Sequence, residues 1–136
     1  AEAAEMIEPG DAFVIRTGTT LKQPKPPETY QEDPHAGVLS TGLDAACIEI
    51  LGQRDVSVVA TDTANERLPV PISDLCRAPV HVLTLTIYGM HLIHNMDLEA
   101  LGDACARQAR SDFLFMVSPL KVPHATGSLV APVAVL

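Results

Sequence analysis

The chain has 136 residues, of which 47% are hydrophobic and 19% charged, a balance that is typical of one globular domain and excludes a disordered protein. Its formal net charge of −8 provides no basic stripe for phosphates and argues against a nucleic-acid partner. No apolar run reaches the roughly 18 residues of a membrane span, and the 3 cysteines form no C-x-x-C pair. We therefore expect a cytoplasmic protein that binds neither nucleic acid nor membrane.

The first half of the chain alternates strand and helix signals. "AEAAEMIE" is typical of the end of a helix, and "AFVIR" at Ala12 to Arg16 predicts a short strand. The proline-rich segment from Gly18 to Gly37 has almost no periodicity, which predicts a long irregular loop. A helix then follows, with Thr41 as the expected N-cap and Gly52 as its stop. Its expected core face comprises Leu43, Ala46, Cys47, Ile50 and Leu51.

The second half begins with "VSVVA" at Val56 to Ala60, which predicts a strand buried on both faces of a sheet. The polar segment "TDTANERLPVPISD" follows it, and loops at the carboxyl ends of such strands are where α/β folds place ligands. "APVHVLTLTIYG" fits either a helix opened by Pro79 or a strand, and we favour the helix. Next, "MHLIHNM" predicts a strand, "LEALGDACARQAR" a helix capped by Asp97, and "FLFMV" and "LVAPVAVL" two further strands.

The last stretch, "VPHATGSLVAPVAVL", places a polar turn at Thr126, Gly127 and Ser128 before an apolar strand. Because terminal residues fray unless the fold ties them down, we expect this strand to pack in the core and to hold the turn rigidly. The residues alone favour a purely structural turn, with only its backbone N–H groups on offer, over a binding site.

Five histidines carry the local chemistry: His35, His81, His91, His94 and His124. The sequence contains no H-E-x-x-H, P-loop, G-x-S-x-G or G-x-G-x-x-G motif, so the matching enzyme classes lack their signatures. His91 and His94 are three residues apart, which puts them on one face of a helix but on opposite faces of a strand. Asp62, at the end of an apolar strand, fits either a carboxylate that orients a ligand or an ordinary turn residue.

Three segments together resemble the cyclase family of metal-dependent hydrolases, which includes bacterial kynurenine formamidase and isatin hydrolase. They are "EPGDAFVIRTG", "VSVVATDT", and "APVHVLTLTIYGMHLIHNMDLEAL" running through "SDFLFMVSPLKVPHATGSLVAPVAVL". The resemblance implies an α/β fold, a swivelling β/β/α-type domain represented here by its C-terminal half over residues 1–136. The N-terminal half, whose H-x-G-T-H-x-D signature holds the metal, is absent from this chain. A start within a helix is expected of a fragment or one part of a split enzyme.

The resemblance also implies a set of site residues. His81 matches the histidine of the family's P-V-H and is implied to be a catalytic residue beside the metal. His94 stands where the family has a Glu or Gln that completes the metal shell, and is implied to be a metal ligand. Asp62 and the turn at 126–128 are implied to line the substrate pocket. The implied metal is Mn²⁺ or Zn²⁺, with most of its ligands outside this chain.

Two functions follow. The first is a part of a metal-dependent hydrolase that cleaves the C–N bond of a formamide or small cyclic amide, joined to an N-terminal half or second chain and forming a homo-oligomer. The second is a diverged, non-catalytic cyclase-like module that binds no metal and serves a structural or interaction role. The histidine at position 94 and the missing triad favour the second for the chain alone, and the match elsewhere favours the first for the assembly.

Overall fold

The computed structural model describes residues 6–18, 41–67, 70, 72 and 74–136. They form two compact units, Ala1–Leu98 and Glu99–Leu136. The helix end predicted over residues 1–8 and the loop predicted from Gly18 to Gly37 lie mostly outside the described residues. Within the described ranges, no helix has both the length and the apolar character needed to cross a membrane.

The first unit contains a three-stranded parallel sheet in the order β1 (Ala12–Ile15), β2 (Val58–Thr61), β3 (His91–Ile93). The central strand β2 is almost fully buried, as its continuous apolar, β-branched sequence predicts. β1 and β3 lie within segments that the sequence predicts to be strands, and β2 overlaps its predicted segment, Val56 to Ala60, but ends one residue later, at Thr61. Because the strands are parallel, their carboxyl ends meet at one edge of the sheet.

Helix α1 spans Ala45–Gly52, and its N-cap is Asp44, whose carboxylate accepts the backbone N–H of Ala46 at 3.1 Å. The prediction of Thr41 as the cap is wrong. Leu43, which the sequence places in the first turn, pairs instead as an isolated parallel bridge with the loop that follows β2. This tertiary pairing keeps the backbone extended until Asp44, which then satisfies a free N–H of the first turn.

The core of the first unit lies between α1, the sheet and the segment after residue 79. Ile48 and Leu51 of α1 are buried, whereas Ile50, which was expected on the core face, is 48% exposed. Ile48 and Leu51 are three residues apart, so the buried face of α1 is centred on this pair and not on the side that carries Ile50. The buried cluster comprises Ile48, Leu51, Val56, Val59, Val80 and Met90.

The favoured helix at "APVHVLTLTIYG" is confirmed, with a geometry that the sequence did not predict. A short α-helix, α2 (Pro79–His81), continues directly into a π-helix, Val82–Tyr88. The carbonyl oxygen of Thr84 accepts the N–H groups of both Gly89 and Met90. Gly89 has φ +68° and so provides the left-handed residue that ends the helix.

The second unit contains helix α3 (Glu99–Gln108) and an antiparallel pair of strands, β4 (Leu114–Met116) and β5 (Val133–Val135). These elements confirm the helix and two strands predicted from the sequence. The expectation that the last strand packs in the core is wrong, because Val133 and Val135 are 51% and 49% exposed. A ribbon of two short strands offers too little surface to bury the side chains on its faces.

Candidate functional site

Polar residues stand at the carboxyl ends of all three parallel strands. Thr17 lies two residues after β1, Asp62 directly follows β2, and His94 directly follows β3. These ends share one edge of the sheet, which is where open α/β folds bind ligands. The edge is therefore the starting point for the candidate site.

Asp62 is buried, with 2% of its surface exposed. The backbone N–H of Thr17 donates to both carboxylate oxygens at 3.0 Å, and the Thr17 hydroxyl donates to Oδ1 at 2.9 Å. The N–H of Gly18 donates to Oδ2 at 2.8 Å. These bonds compensate for burial of the carboxylate and tie the end of β1 to the end of β2. The role of Asp62 in a substrate pocket stays a prediction.

The loop after β2 is fastened to the end of β3 by a buried polar network. The N–H of Asn95 donates to the carbonyl of Thr63 at 2.9 Å, and the side-chain amide of Asn65 donates to the carbonyl of Ile93 at 3.4 Å. Asn65 is fully buried and has φ +68°, a left-handed conformation in which asparagine is enriched. The loop thus has a single fixed path from β2 to the next residue, Glu66.

Glu66 binds His81 twice. Its Oε1 atom accepts the backbone N–H of His81 at 2.9 Å and lies 2.8 Å from His81 Nδ1. The two side chains are 12% and 29% exposed. Sequence reasoning missed Glu66, although it is the second carboxylate in "TDTANERL", four residues after Asp62, in the loop where ligands were expected.

The structure brings together the two histidines to which the resemblance assigns chemistry. The ring centroids of His81 and His94 are 4.9 Å apart and the rings meet edge to face, at 71°. Burial lowers the pKa of His94 below its usual value, neighbouring His81 lowers that pKa further, and Glu66 opposes both effects. The neutral imidazole that results is the form that binds metals. His91 lies at the other end of β3 and is exposed.

Imidazole nitrogens and carboxylates are the correct donors for Zn²⁺, and Mn²⁺ accepts them too. Across the parts of the chain that the structure describes, no group of three or more His, Cys, Asp or Glu side chains is placed to hold a metal ion. His94 and its neighbours therefore fit as part of a ligand set, and the source of the other ligands stays a prediction.

The polar turn belongs to the second unit, and Thr126, Gly127 and Ser128 are all exposed. The Ser128 hydroxyl accepts the N–H of Leu120 at 3.0 Å and donates to the carbonyl of Leu129 at 3.1 Å. These bonds close the turn on its own unit, which is the structural role that the residues alone favoured. The pocket role implied by the resemblance stays a prediction.

A cavity of about 160 Å³ borders Glu66 and is lined mainly by apolar side chains. An ion pair between Arg67 and Asp44, at 3.2 Å, forms part of its wall. None of the residues predicted to line a substrate pocket borders this cavity, whose lining comprises Leu43, Asp44, Ala45, Glu66, Arg67, Val70, Ile72 and Pro79.

Comparison with known proteins shows that the chain is similar to a solved structure. No family model matches the chain, and no curated protein sequence matches it. A solved structure, described as the crystal structure of a novel cyclase, is similar over 99% of this chain with 30% sequence identity and a TM-score of 0.76. The chain spans 43% of the length of that cyclase's chain. This similarity supports the cyclase family and a mixed α/β fold for the chain.

Proposed function

We propose that this chain forms part of a metal-dependent hydrolase of the cyclase family, similar to kynurenine formamidase or isatin hydrolase, that cleaves the C–N bond of a formamide or small cyclic amide. The observation that carries the proposal is the contact between the rings of His81 and His94, whose centroids are 4.9 Å apart. It places two groups that suit metal-assisted hydrolysis side by side, in a chain that is similar to a cyclase along 99% of its length.

In this proposal His94 is a ligand of Zn²⁺ or Mn²⁺. The metal, when bound, supplies Lewis acidity and lowers the pKa of a water. His81 accepts a proton from the attacking water at a ring nitrogen and returns it to the departing nitrogen as the C–N bond breaks. The products are a carboxylate and an amine. An imidazole at position 94 carries no negative charge, so it would neutralise less of the metal's charge than a Glu at this position would.

The remaining ligands are proposed to come from an N-terminal half or a second chain, within a homo-oligomer. Such a partner would also cover the apolar side chains of the β4–β5 pair. Leu114 pairs with Val135 and Met116 with Val133, so the four side chains share one face of the ribbon. Each is 46–60% exposed, and an apolar face of this kind is typical of an interface.

The test combines metal analysis with kinetics on the assembly that contains this chain and its N-terminal half. We expect close to one bound Zn²⁺ or Mn²⁺ per site and hydrolysis of an aryl formamide that is lost on chelation and recovers when the metal is returned. A fully folded assembly without metal and without activity would contradict the proposal.

That contrary result is expected of the second candidate, a diverged cyclase-like module without catalysis. One feature favours it: the histidine at position 94 stands where the resemblance implies a Glu or Gln in the metal shell. A non-catalytic module has no need for a complete ligand set. The intact mass of the purified assembly, measured beside its metal content, separates the two candidates.

A further inference from the structure

We propose that Glu66 is a positioning residue for His81. It holds the imidazole as the tautomer with its proton on Nδ1, and so leaves Nε2 as the nitrogen that accepts a proton or binds a metal. The reaction that this serves rests on the proposed function, whereas the tautomer follows from the geometry of the two residues.

The hydrogen bonds determine which nitrogen carries the proton. Oε1 of Glu66 accepts the backbone N–H of His81 at 2.9 Å, so this oxygen is an acceptor. Nδ1 of the same histidine lies 2.8 Å from the same oxygen and must be the donor. A neutral imidazole carries one N–H, and its other nitrogen keeps the lone pair. Nε2 is therefore the basic atom of His81.

The backbone around Glu66 is built to keep its carboxylate in place. The N–H of Leu43 donates to the carbonyl of Asn65 at 2.8 Å, directly before Glu66. Gly42 allows the two segments to approach, since a Cβ at this position would lie 2.2 Å from the carbonyl carbon of Glu66. With Asn65 fully buried on the same loop, Glu66 extends from a fixed backbone, as the support of a site residue requires.

His81 has ionisable neighbours on two sides. Glu66 holds Nδ1 and the backbone N–H, and the ring of His94 meets the His81 ring edge to face. A carboxylate on one imidazole nitrogen orients the ring and makes the other nitrogen a better base or ligand. Glu66 and His81 thus form a carboxylate–histidine pair, and this pair faces a second histidine, His94.

A merely structural role for Glu66 has a different signature. An acceptor for the backbone N–H of His81 stabilises the first turn of α2, and its loss lowers stability whatever the ring does. Only the positioning role fixes the ring tautomer of His81. The tautomer is therefore the informative measurement, and it needs neither metal nor substrate.

The experiment uses the whole chain labelled with ¹⁵N and two-bond proton–nitrogen correlation of the histidine rings at about pH 8.5, where neutral imidazole dominates. We expect the Nδ1–H tautomer for His81 in the unmodified chain. Glu66→Gln keeps it, because its amide oxygen must still receive the backbone N–H. Glu66→Ala moves His81 to Nε2–H. Glu49→Ala, at an exposed helix position, is the matched control and leaves the tautomer unchanged.

In the assembly, Glu66→Ala is expected to lower kcat by about 10- to 100-fold with a smaller change in KM, and Glu66→Gln to recover part of the loss. An Nε2–H tautomer in the unmodified chain, or an unchanged tautomer in Glu66→Ala, overturns the proposal. The first of these needs no variant to fold. If the unmodified assembly does not hydrolyse amides while the tautomer responds as expected, the proposed function fails and the positioning of His81 by Glu66 stands.

Discussion

Nδ1 of His81 lies 2.8 Å from Oε1 of Glu66, and the same oxygen accepts the backbone N–H of His81 at 2.9 Å. The two residues are 15 positions apart and belong to different kinds of structure, a loop after a strand and the start of a helix. Both bonds depend on the path of the loop over residues 62–66, which is fixed by buried polar contacts. The chemistry of the histidine therefore depends on backbone packing that is distant in sequence.

The close approach at Gly42 gives the first prediction. In Gly42→Ala the new Cβ would lie within 2.2–2.5 Å of backbone atoms of Glu66 and Arg67, which cannot move independently of the loop. We expect a loss of about 1–3 kcal/mol in the free energy of unfolding, by overpacking. Gly127→Ala is the control, because a Cβ there meets nothing within 4 Å. Chemical denaturation measures both, and equal stability of the two variants would contradict the structure at Gly42.

The buried carboxylate of Asp62 gives the second prediction. Asp62→Ala removes the carboxylate that accepts the N–H groups of Thr17 and Gly18, and the loss of these partly buried hydrogen bonds is expected to cost about 1–3 kcal/mol. Asp103→Ala, at an exposed position of α3, is expected to change the free energy of unfolding by less than about 0.5 kcal/mol. Thermal or urea unfolding of the two variants provides the comparison. A small effect at Asp62 would show that these bonds contribute little.

The pKa of His94 gives the third prediction, for the protein without metal. Burial and His81 lower this pKa below 6.5 in the folded chain, while Glu66 raises it. The folded state then binds the proton less tightly than the unfolded state, so this group's contribution to stability is complete above about pH 6.5. It is lost as the pH falls from there through the lowered folded pKa, and it is small because the His94 ring is only partly buried.

Substitutions of His81 and Glu66 separate their effects on the pKa of His94. His81→Ala is expected to raise the pKa of His94, since it removes packing and a second positive charge. Glu66→Gln is expected to lower it, since it removes a negative charge. Proton NMR titration of the His94 ring measures both shifts. Shifts of the same sign in the two variants would contradict the assignment of causes.

Local patterns predicted the elements of this chain well, and tertiary pairing decided the details. The apolar run at β2 and the Pro79 helix start follow from residue type and spacing alone. The cap at Asp44 does not, because Leu43 is held outside the helix by its bridge to Glu66. The π-helix Val82–Tyr88 likewise has no signature in its sequence.

Part of the candidate site could likewise be predicted from the sequence, and part could not. Resemblance singled out His81 and His94, and the structure places their rings in contact. Glu66 was missed because its place in the polar loop after β2 does not reveal which residue its carboxylate contacts. Its partner, His81, is distant in sequence, and the spacing of residues does not predict such a contact.

The last prediction concerns the two histidines of "MHLIHNM". In the assembly, His94→Ala is expected to reduce bound metal and to slow formamide hydrolysis by about 10- to 100-fold, the usual cost of losing a supporting group at a metal site. His91→Ala is the matched control, because His91 is exposed at the opposite end of β3 from the His81 ring. It should leave metal content and rate nearly unchanged. Metal analysis and initial rates on both variants decide the matter. Full metal occupancy in both would remove His94 from the site and favour the non-catalytic module. In that case His94→Ala would cause at most a loss of stability.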